Sequence, residues 1–301
     1  MNIYKKRINF LKFHKFFLFF SLLLFLFSLL IFFLKGLNLG IDFKGGTVIE
    51  MKVETPIKSE TIRQELLNLN LGDVKVKEFG KTTQFLAIFE KKGSSNNFVN
   101  NIKLNLTRNI NQNIDFQRVE VVGPKISKEL SKKGYLAVFI ALICMLIYIW
   151  FRFEWQFSIG AILALAHDVF ITIGVFCLLS FEFNLSIVAA ILTIIGYSMN
   201  DTVVIYDRIR ENLKKYDSKN LTELIDDSIN ETLPRTIKTS VTTLLALLSI
   251  YILGGEILKG FSFALIWGVL IGTYSSIYIA SPLLLYINVK RDWSDPIDNT
   301  P

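Results

Sequence analysis

FSIGAILALAHDVFITIGVFCLL, from Phe157 to Leu179, and LSIVAAILTIIGYSMNDTVVIY, from Leu185 to Tyr206, decide the fold class. At about 1.5 Å rise per residue, either stretch crosses a hydrocarbon core of roughly 30 Å. Four more stretches of comparable length and apolarity flank them, at 16–34, 134–151, 236–254 and 263–285. The chain therefore reads as a six-span α-helical membrane protein. Its overall 51% hydrophobic content would not by itself separate it from a soluble domain.

The intervals between spans carry the rest of the organisation. Only 35–133 is long enough to fold independently. In it, Ile49, Met51 and Val53 alternate with Glu50, Lys52 and Glu54, a half-buried strand pattern. Ile62, Leu66 and Leu69 recur at helical spacing, as do Phe98, Ile102, Leu106 and Ile110. Strand patterns at Val74–Val76, Phe85–Phe89 and Ile114–Val122 complete a β-α-β-β-α-β order, which predicts a small ferredoxin-like α+β domain. Lys125–Lys133 reads as a polar helix feeding the second span. Residues 207–235 read as a surface-lying amphipathic segment, with Leu221, Leu224, Ile225 and Ile229 on one face.

The net charge of +7 could suggest nucleic acid, but its distribution assigns it to orientation. Outside 35–133, fifteen Lys and Arg fall at the amino end and in alternate loops, against Lys259 alone in the others. The positive-inside rule then predicts a cytoplasmic N-terminus (1–15), a cytoplasmic tail (286–301) and an external 35–133. No nucleic-acid partner is expected. The first span, with nineteen apolar-rich residues and no Ala-x-Ala site before Lys35-Gly36, reads as a retained anchor. Cys144 and Cys177 both fall inside spans and read as packing residues.

Charged groups at membrane depth are the informative residues, because each costs about 2.5–3.5 kcal/mol to insert. Asp168 lies at the centre of the third span beside His167. It reads either as half of a structural hydrogen-bonded pair or as a transport group. Asp201 follows Asn200 in the fourth span, and Arg235 opens the fifth at the same level, so an Asp201–Arg235 pair is within reach. A single proton would switch such a pair between bound and released. Small or polar residues recur along each span. They are Gly160, Ala164, Asp168 and Thr172; Ala189, Thr193, Tyr197 and Asp201; Arg235, Thr239, Thr242, Ala246 and Ser249; and Gly268, Gly272, Ser276 and Ala280. All four ladders are expected to meet inside the bundle. The contexts of Asp168, Asp201 and Ser198 do not match those of intramembrane proteases, so no enzymatic activity is expected.

Longer motifs then carry a resemblance. GIDFKGGT (Gly40–Thr47), VGPKIS (Val122–Ser127), GYSMNDTVVIYDRIREN (Gly196–Asn212) and LPRTIKTSVTTLLALL (Leu233–Leu248) follow one another on the six-span frame, with Ala-His-Asp-Val and Tyr-Ser-Ser-Ile in the third and sixth spans. Together they resemble the SecD/SecF family of protein-export membrane proteins, within the resistance-nodulation-division superfamily. The resemblance implies an accessory subunit in a bacterial cytoplasmic (inner) membrane. It would use the proton-motive force to help exported preproteins leave a SecY-type translocon. It further implies an obligate hetero-complex with a SecD-like subunit, and neither a cofactor nor a metal. Carried over by position, Asp201, with Asn200, resembles the family's proton-carrying site, and Arg235 its partner. Asp207 and Arg208 match the cytoplasmic end of that helix, where fixing helix and loop is the implied role. Gly45 and Gly46 allow a tight backbone path into the first strand. Two competing readings are a scaffold that stabilises the translocon without moving protons, and half of another proton-driven exporter of the superfamily.

Overall fold

The structure, a computed structural model, describes residues 7–79, 81–90, 96–216, 219–287 and 289. Lys5, Lys6, Lys290 and Arg291, which contribute to the predicted orientation, and nearly all of the 286–301 tail lie outside the described residues.

In chain order, a 3₁₀ turn at Phe10–Phe13 leads into α1 (His14–Lys35), β1 (Asn38–Leu39) and α2 (Ile41–Lys44). The external domain follows as β2 (Gly46–Val53), α3 (Ser59–Asn68), β3 (Val74–Phe79), β4 (Lys81–Phe89), α4 (Asn96–Ile110) and β5 (Ile114–Val122). Then come α5 (Pro124–Arg152), α6 (Trp155–Leu179), β6 (Glu182–Phe183), α7 (Leu185–Lys215), α8 (Leu221–Leu253), α9 (Gly255–Ser275), a π-helical turn at Ser276–Ala280, and α10 (Ser281–Tyr286). Six of these helical stretches are long and apolar enough to cross a membrane.

In the external domain the strand order is β3-β4-β2-β5, antiparallel throughout. The two outer strands of each split β-α-β unit run parallel with a third strand between them, which is the ferredoxin-like arrangement. Alternation decides which residues face inward. Ile49, Met51 and Val53 of β2 and Phe85, Ala87 and Phe89 of β4 pack against Ile62 and Leu66 of α3 and Ile102 and Leu106 of α4. A bulge between Glu50 and Met51 shifts the register of β2 against β5.

The bundle differs from the sequence expectation in four ways. First, the 207–235 segment, expected as a surface-lying amphipathic stretch, is not a separate surface helix: α7 runs on to Lys215 and α8 begins at Leu221. Its apolar face is covered by protein. Leu224, Ile225 and Ile229 share a core with Ile209, Leu213 and Leu11, and Asn212 Nδ2 donates to Ser228 Oγ at 2.9 Å. The backbone N–H of Leu11 donates to Asp226 Oδ1 at 2.9 Å, tying the N-terminal turn to α8.

Second, the sixth span is interrupted at Ser276–Ala280. Pro282 has no N–H for the Tyr278 carbonyl. The backbone N–H of Ser281 bonds instead to the Ser276 carbonyl, five residues back, and its hydroxyl donates to that oxygen at 2.7 Å. Third, β1 and β6 pair in parallel, joining the chain after the first span to the external loop between the third and fourth.

Fourth, only two of the four small-residue ladders lie inside. Gly160, Ala164, Asp168 and Thr172 of α6 are buried, and so are Gly268, Gly272, Ser276 and Ala280. The other two are only partly covered: on α7, Ala189 and Thr193 are exposed while Tyr197 is half-buried and Asp201 buried, and on α8, Arg235, Thr242, Ala246 and Ser249 are exposed while Thr239 is half-buried. The inner ladders are spent on close approach. A Cβ at Gly160 would stand 2.5 Å from Tyr206 Oη of α7, and one at Gly268 would stand 2.2 Å from Ile194 of α7. Cys177 is buried as expected, whereas Cys144 is exposed.

Candidate functional site

Two carboxylates lie at membrane depth in the bundle, in contrasting surroundings. Asp168, on the inner face of α6, is fully buried. Its Oδ1 meets His167 Nδ1 at 3.0 Å, and its Oδ2 accepts from Ser198 of α7 at 2.6 Å and Ser275 of α9 at 2.7 Å. One side chain thus ties three helices together. His167 Nε2 is buried without a hydrogen-bond partner. Thr202 and Ser276 share a hydrogen bond of 2.8 Å beside this cluster, and Tyr206 donates to the Ala280 carbonyl at 3.0 Å. The π-helical turn is therefore held by α7 side chains on its open carbonyl side.

Asp201 is 2% exposed, yet among the described residues its carboxylate receives a single hydrogen bond, from Thr273 Oγ1 to Oδ2 at 3.4 Å. No ion pair of 4.0 Å or less joins it to Arg235 among the described residues. The Arg235 charge acts on the carboxylate through space, with the side chain itself on the exposed face of α8. The predicted pair is thus brought near and left open. The backbone supplies the reason: Arg235 lies one residue after Pro234, on the outward-facing ladder of a helix whose buried side here runs through Thr232, Leu233, Thr236 and Ser240. Asn200 also points outward, and beside it on α7 Gly196 faces open space. Thr239 does not face the carboxylate; its hydroxyl bonds back to the Thr236 carbonyl at 2.9 Å.

The C-terminal end of α7 is fixed by charge. Asp207 pairs with Arg152 at 2.8 Å, and Arg208 pairs with Glu211 at 2.6 Å and with Glu231 of α8. These contacts lock the loop after the second span and the start of α8 onto α7.

At the opposite end of the bundle, next to the α+β domain, the Gly45-Gly46 path is forced by the backbone. Gly45 ends α2 at φ +75°, and Gly46 opens β2 at φ +142°, where a Cβ would stand 2.7 Å from the Phe89 carbonyl oxygen. Just before it, Gly40 N–H donates to the Phe183 carbonyl at 2.8 Å, and Asp42 Oδ2 accepts from the Leu185 N–H at the start of α7 at 2.9 Å. The segment therefore caps the fourth span from outside, satisfying one of the free donors of its first turn. Burial pushes the Glu182 carboxyl above the usual carboxylate range, with Lys77 and Lys75 drawing it back and Asp42 adding to the rise.

Sequence reasoning found Asp168, His167, Asp201 and Arg235 because charge in an apolar run stands out. It missed Thr273 and Ser240, since a hydroxyl in a span usually bonds its own helix and leaves no signal in the sequence.

Comparison with known proteins agrees over most of the chain. Residues 102–290 match the family described as protein export membrane protein SecD/SecF, C-terminal, and residues 30–57 match the SecD/SecF GG motif. Protein translocase subunit SecF of Rickettsia bellii is 43% identical, covering 97% of this chain and 99% of the relative. The SecF of Vibrio alginolyticus is 40% identical over 96% and 92%. Protein translocase subunit SecDF of Brucella abortus is 44% identical over 87% of this chain but 35% of its own length. The crystal structure of SecDF from Thermus thermophilus, described as a translocon-associated membrane protein, superposes with a TM-score of 0.85 at 36% identity. That match covers 95% of this chain and 39% of the SecDF chain, so the chain spans about two fifths of the SecDF structure it matches.

Proposed function

The chain belongs to the SecD/SecF family of protein-export membrane proteins, and from that premise we propose that it is the smaller half of a proton-driven export complex. With a SecD-like subunit it uses the proton-motive force to complete the passage of preproteins through a SecY-type translocon in the bacterial inner membrane. Both termini are cytoplasmic, and the α+β domain stands outside. The chain carries out no bond-making chemistry of its own and needs no cofactor; its work is conformational.

The observation that carries this reading is Asp201. It is a buried carboxylate at membrane depth with one long hydrogen bond, near a guanidinium held on an uncovered face. Ionised, it attracts Arg235; protonated, it does not. A membrane potential of 100 mV contributes about 2.3 kcal/mol per charge moved, enough to bias a conformational step of a few kcal/mol. Asn200 lies beside the carboxylate on the outer face and belongs to the same relay.

The uncovered faces of α7 and α8 support a partner surface that completes the site. Ala189, Thr193, Gly196 and Asn200 on one helix and Arg235, Thr242, Ala246 and Ser249 on the other form small and polar faces at a depth where lipid offers no hydrogen bonds. A SecD-like chain covers them and excludes lipid, offering the hydrogen-bond partners and close helix contacts that hydrocarbon lacks. The match to single chains named SecDF supports this partner, because those chains carry further sequence beyond the part matched here. Gly254 alone joins α8 to α9, so the chain has no room for the second external domain of a small-molecule exporter.

The test uses the chain co-purified with its SecD-like partner in sealed vesicles carrying the translocon. Completion of preprotein translocation is measured with and without a proton gradient, for the native chain and for Asp201→Asn. Gradient stimulation in the native complex alone supports the motor. An equal response in both makes the carboxylate structural and favours the scaffold.

A further inference from the structure

Hydroxyls at membrane depth ordinarily bond to a carbonyl three or four residues back in their own helix. Thr193, Thr239, Thr242, Ser249 and Ser262 do so here, at 2.6–2.9 Å. Ser240 and Thr273 do not. Ser240 Oγ of α8 and Thr273 Oγ1 of α9 bond each other at 2.8 Å, Thr273 reaches Asp201 Oδ2 at 3.4 Å, and Tyr197 Oη of α7 reaches Ser240 Oγ at 3.4 Å. The four side chains make one continuous file across three helices.

Donor direction in that file follows from its ends. Each hydroxyl has one proton to give. Thr273 donates to the carboxylate, so it must accept from Ser240, which in turn accepts from Tyr197. All three O–H groups point toward Asp201. The file also has a direction in the membrane. Tyr197 stands one turn before Asp201, about 6 Å nearer the start of α7, and that start is capped by the external segment through Asp42. Tyr197 is half-buried on the ladder shared with the exposed Thr193 and Ala189. The cluster at Asp168 has hydroxyls too, but both residues supplying them, Ser198 and Ser275, are buried, so it leads nowhere.

We infer that Tyr197, Ser240 and Thr273 are the external access path by which protons reach Asp201. The inference rests on the proposed role of Asp201. Tyr197 lies twelve residues, about 18 Å, below the start of α7, so the file is the last leg of the path. A hydronium that has come from outside along the seam between the Ala189–Thr193 face and the SecD-like chain gives a proton to the Tyr197 oxygen, the Tyr197 proton passes to Ser240, that of Ser240 to Thr273, and that of Thr273 to Asp201 Oδ2. Each O–H broken is matched by one formed, and the net change is one proton moved inward and one carboxylate neutralised. The hydroxyls then rotate back. The two 3.4 Å links exceed the ordinary 2.5–3.0 Å of an O–H···O bond, so a shift of about half an ångström between these helices closes or opens the path.

The experiment uses the same reconstituted complex with its SecD-like partner, and measures gradient-driven completion of translocation at a series of external pH values. Thr273→Val keeps the shape and removes the hydroxyl; it is expected to slow the gradient-driven rate about tenfold and shift its dependence on external pH. Thr273→Ser restores the hydroxyl and is expected to stay within about twofold of native. Tyr197→Phe, which removes only the outermost hydroxyl, is expected to show the same loss as Thr273→Val. If Thr273→Val or Tyr197→Phe behaves as native while Asp201→Asn is inactive, the access path is overturned and the role of Asp201 stands. If Thr273→Ser is as slow as Thr273→Val, packing explains position 273, and a native Tyr197→Phe then overturns the path. If Asp201→Asn itself responds like the native chain, the proton reading fails and the path with it.

Discussion

Asp168 and Asp201 are both buried aspartates in adjacent helices of one bundle, and they are treated in opposite ways. Asp168 is given three donors from its own helix and two neighbours, at 2.6–3.0 Å. Asp201 is given one, at 3.4 Å, and its cationic neighbour stays outside contact. A satisfied carboxylate fixes the helices that satisfy it, because moving any of them leaves buried groups unpaired. An under-satisfied one at a half-built face is free to change state. The difference separates the fixed part of the bundle from the part that works.

The comparison is broken most severely at Asp168. Asp168→Ala strands the Ser198 hydroxyl and His167 and leaves Ser275 only its 3.1 Å bond to the Gly272 carbonyl, and the expected cost is on the order of 3–5 kcal/mol. Thermal unfolding of the detergent-solubilised complex reads it as a large fall in Tm. A Tm close to native would mean that the three-donor cluster holds nothing. Next in size is Gly268→Ala. Its Cβ meets Ile194 at 2.2 Å and wedges α9 from α7, at about 1–3 kcal/mol for an overpacked site. The same unfolding measurement checks it, and a neutral result would show that the two helices have slack.

Asp201→Asn sharpens the contrast from the other side. Its expected effect on stability is under about 1 kcal/mol, since little is hydrogen-bonded to the carboxylate in the first place. A loss as large as that at Asp168 would make the two sites alike. Smallest is the effect at Glu182, in the external loop. Its carboxyl is raised by burial, so the folded junction binds its proton more tightly than the unfolded chain. The resulting stability is fully present below the ordinary value of 4.5 and is lost as pH rises through the raised native value. The protection factors of amides in the Gly40–Gly46 segment, which divide out the intrinsic pH dependence of exchange, are expected to fall across that window in the native chain and to stay constant in Glu182→Gln. An unchanged pH dependence in the variant would assign the effect to another group.

Much of this molecule was legible before any coordinates. The six spans follow from apolar runs of a fixed length, and the β-α-β-β-α-β order follows from two periodicities, 2 and 3.6. Charge in lipid marked Asp168, Asp201 and Arg235, because it is costly enough to need a reason. The 207–235 segment was misplaced because an amphipathic face reads the same whether a membrane surface or a neighbouring helix covers it. Leu224, Ile225 and Ile229 turned out to face Ile209, Leu213 and Leu11. The β1–β6 pairing was invisible, since two residues on either side make no pattern.

By itself, the sequence determined which segments cross the membrane, how the external domain is built and which residues are chemically out of place. Those are properties of composition and local repeat. Only the tertiary structure decided that two small-residue ladders are buried and two are left partly uncovered. It alone decided that Asp168 is satisfied and Asp201 is not, and that Ser240 and Thr273 turn away from their own helices toward each other. Partners contributed by separate helices depend on how those helices rotate and approach, and no local pattern in the chain records that.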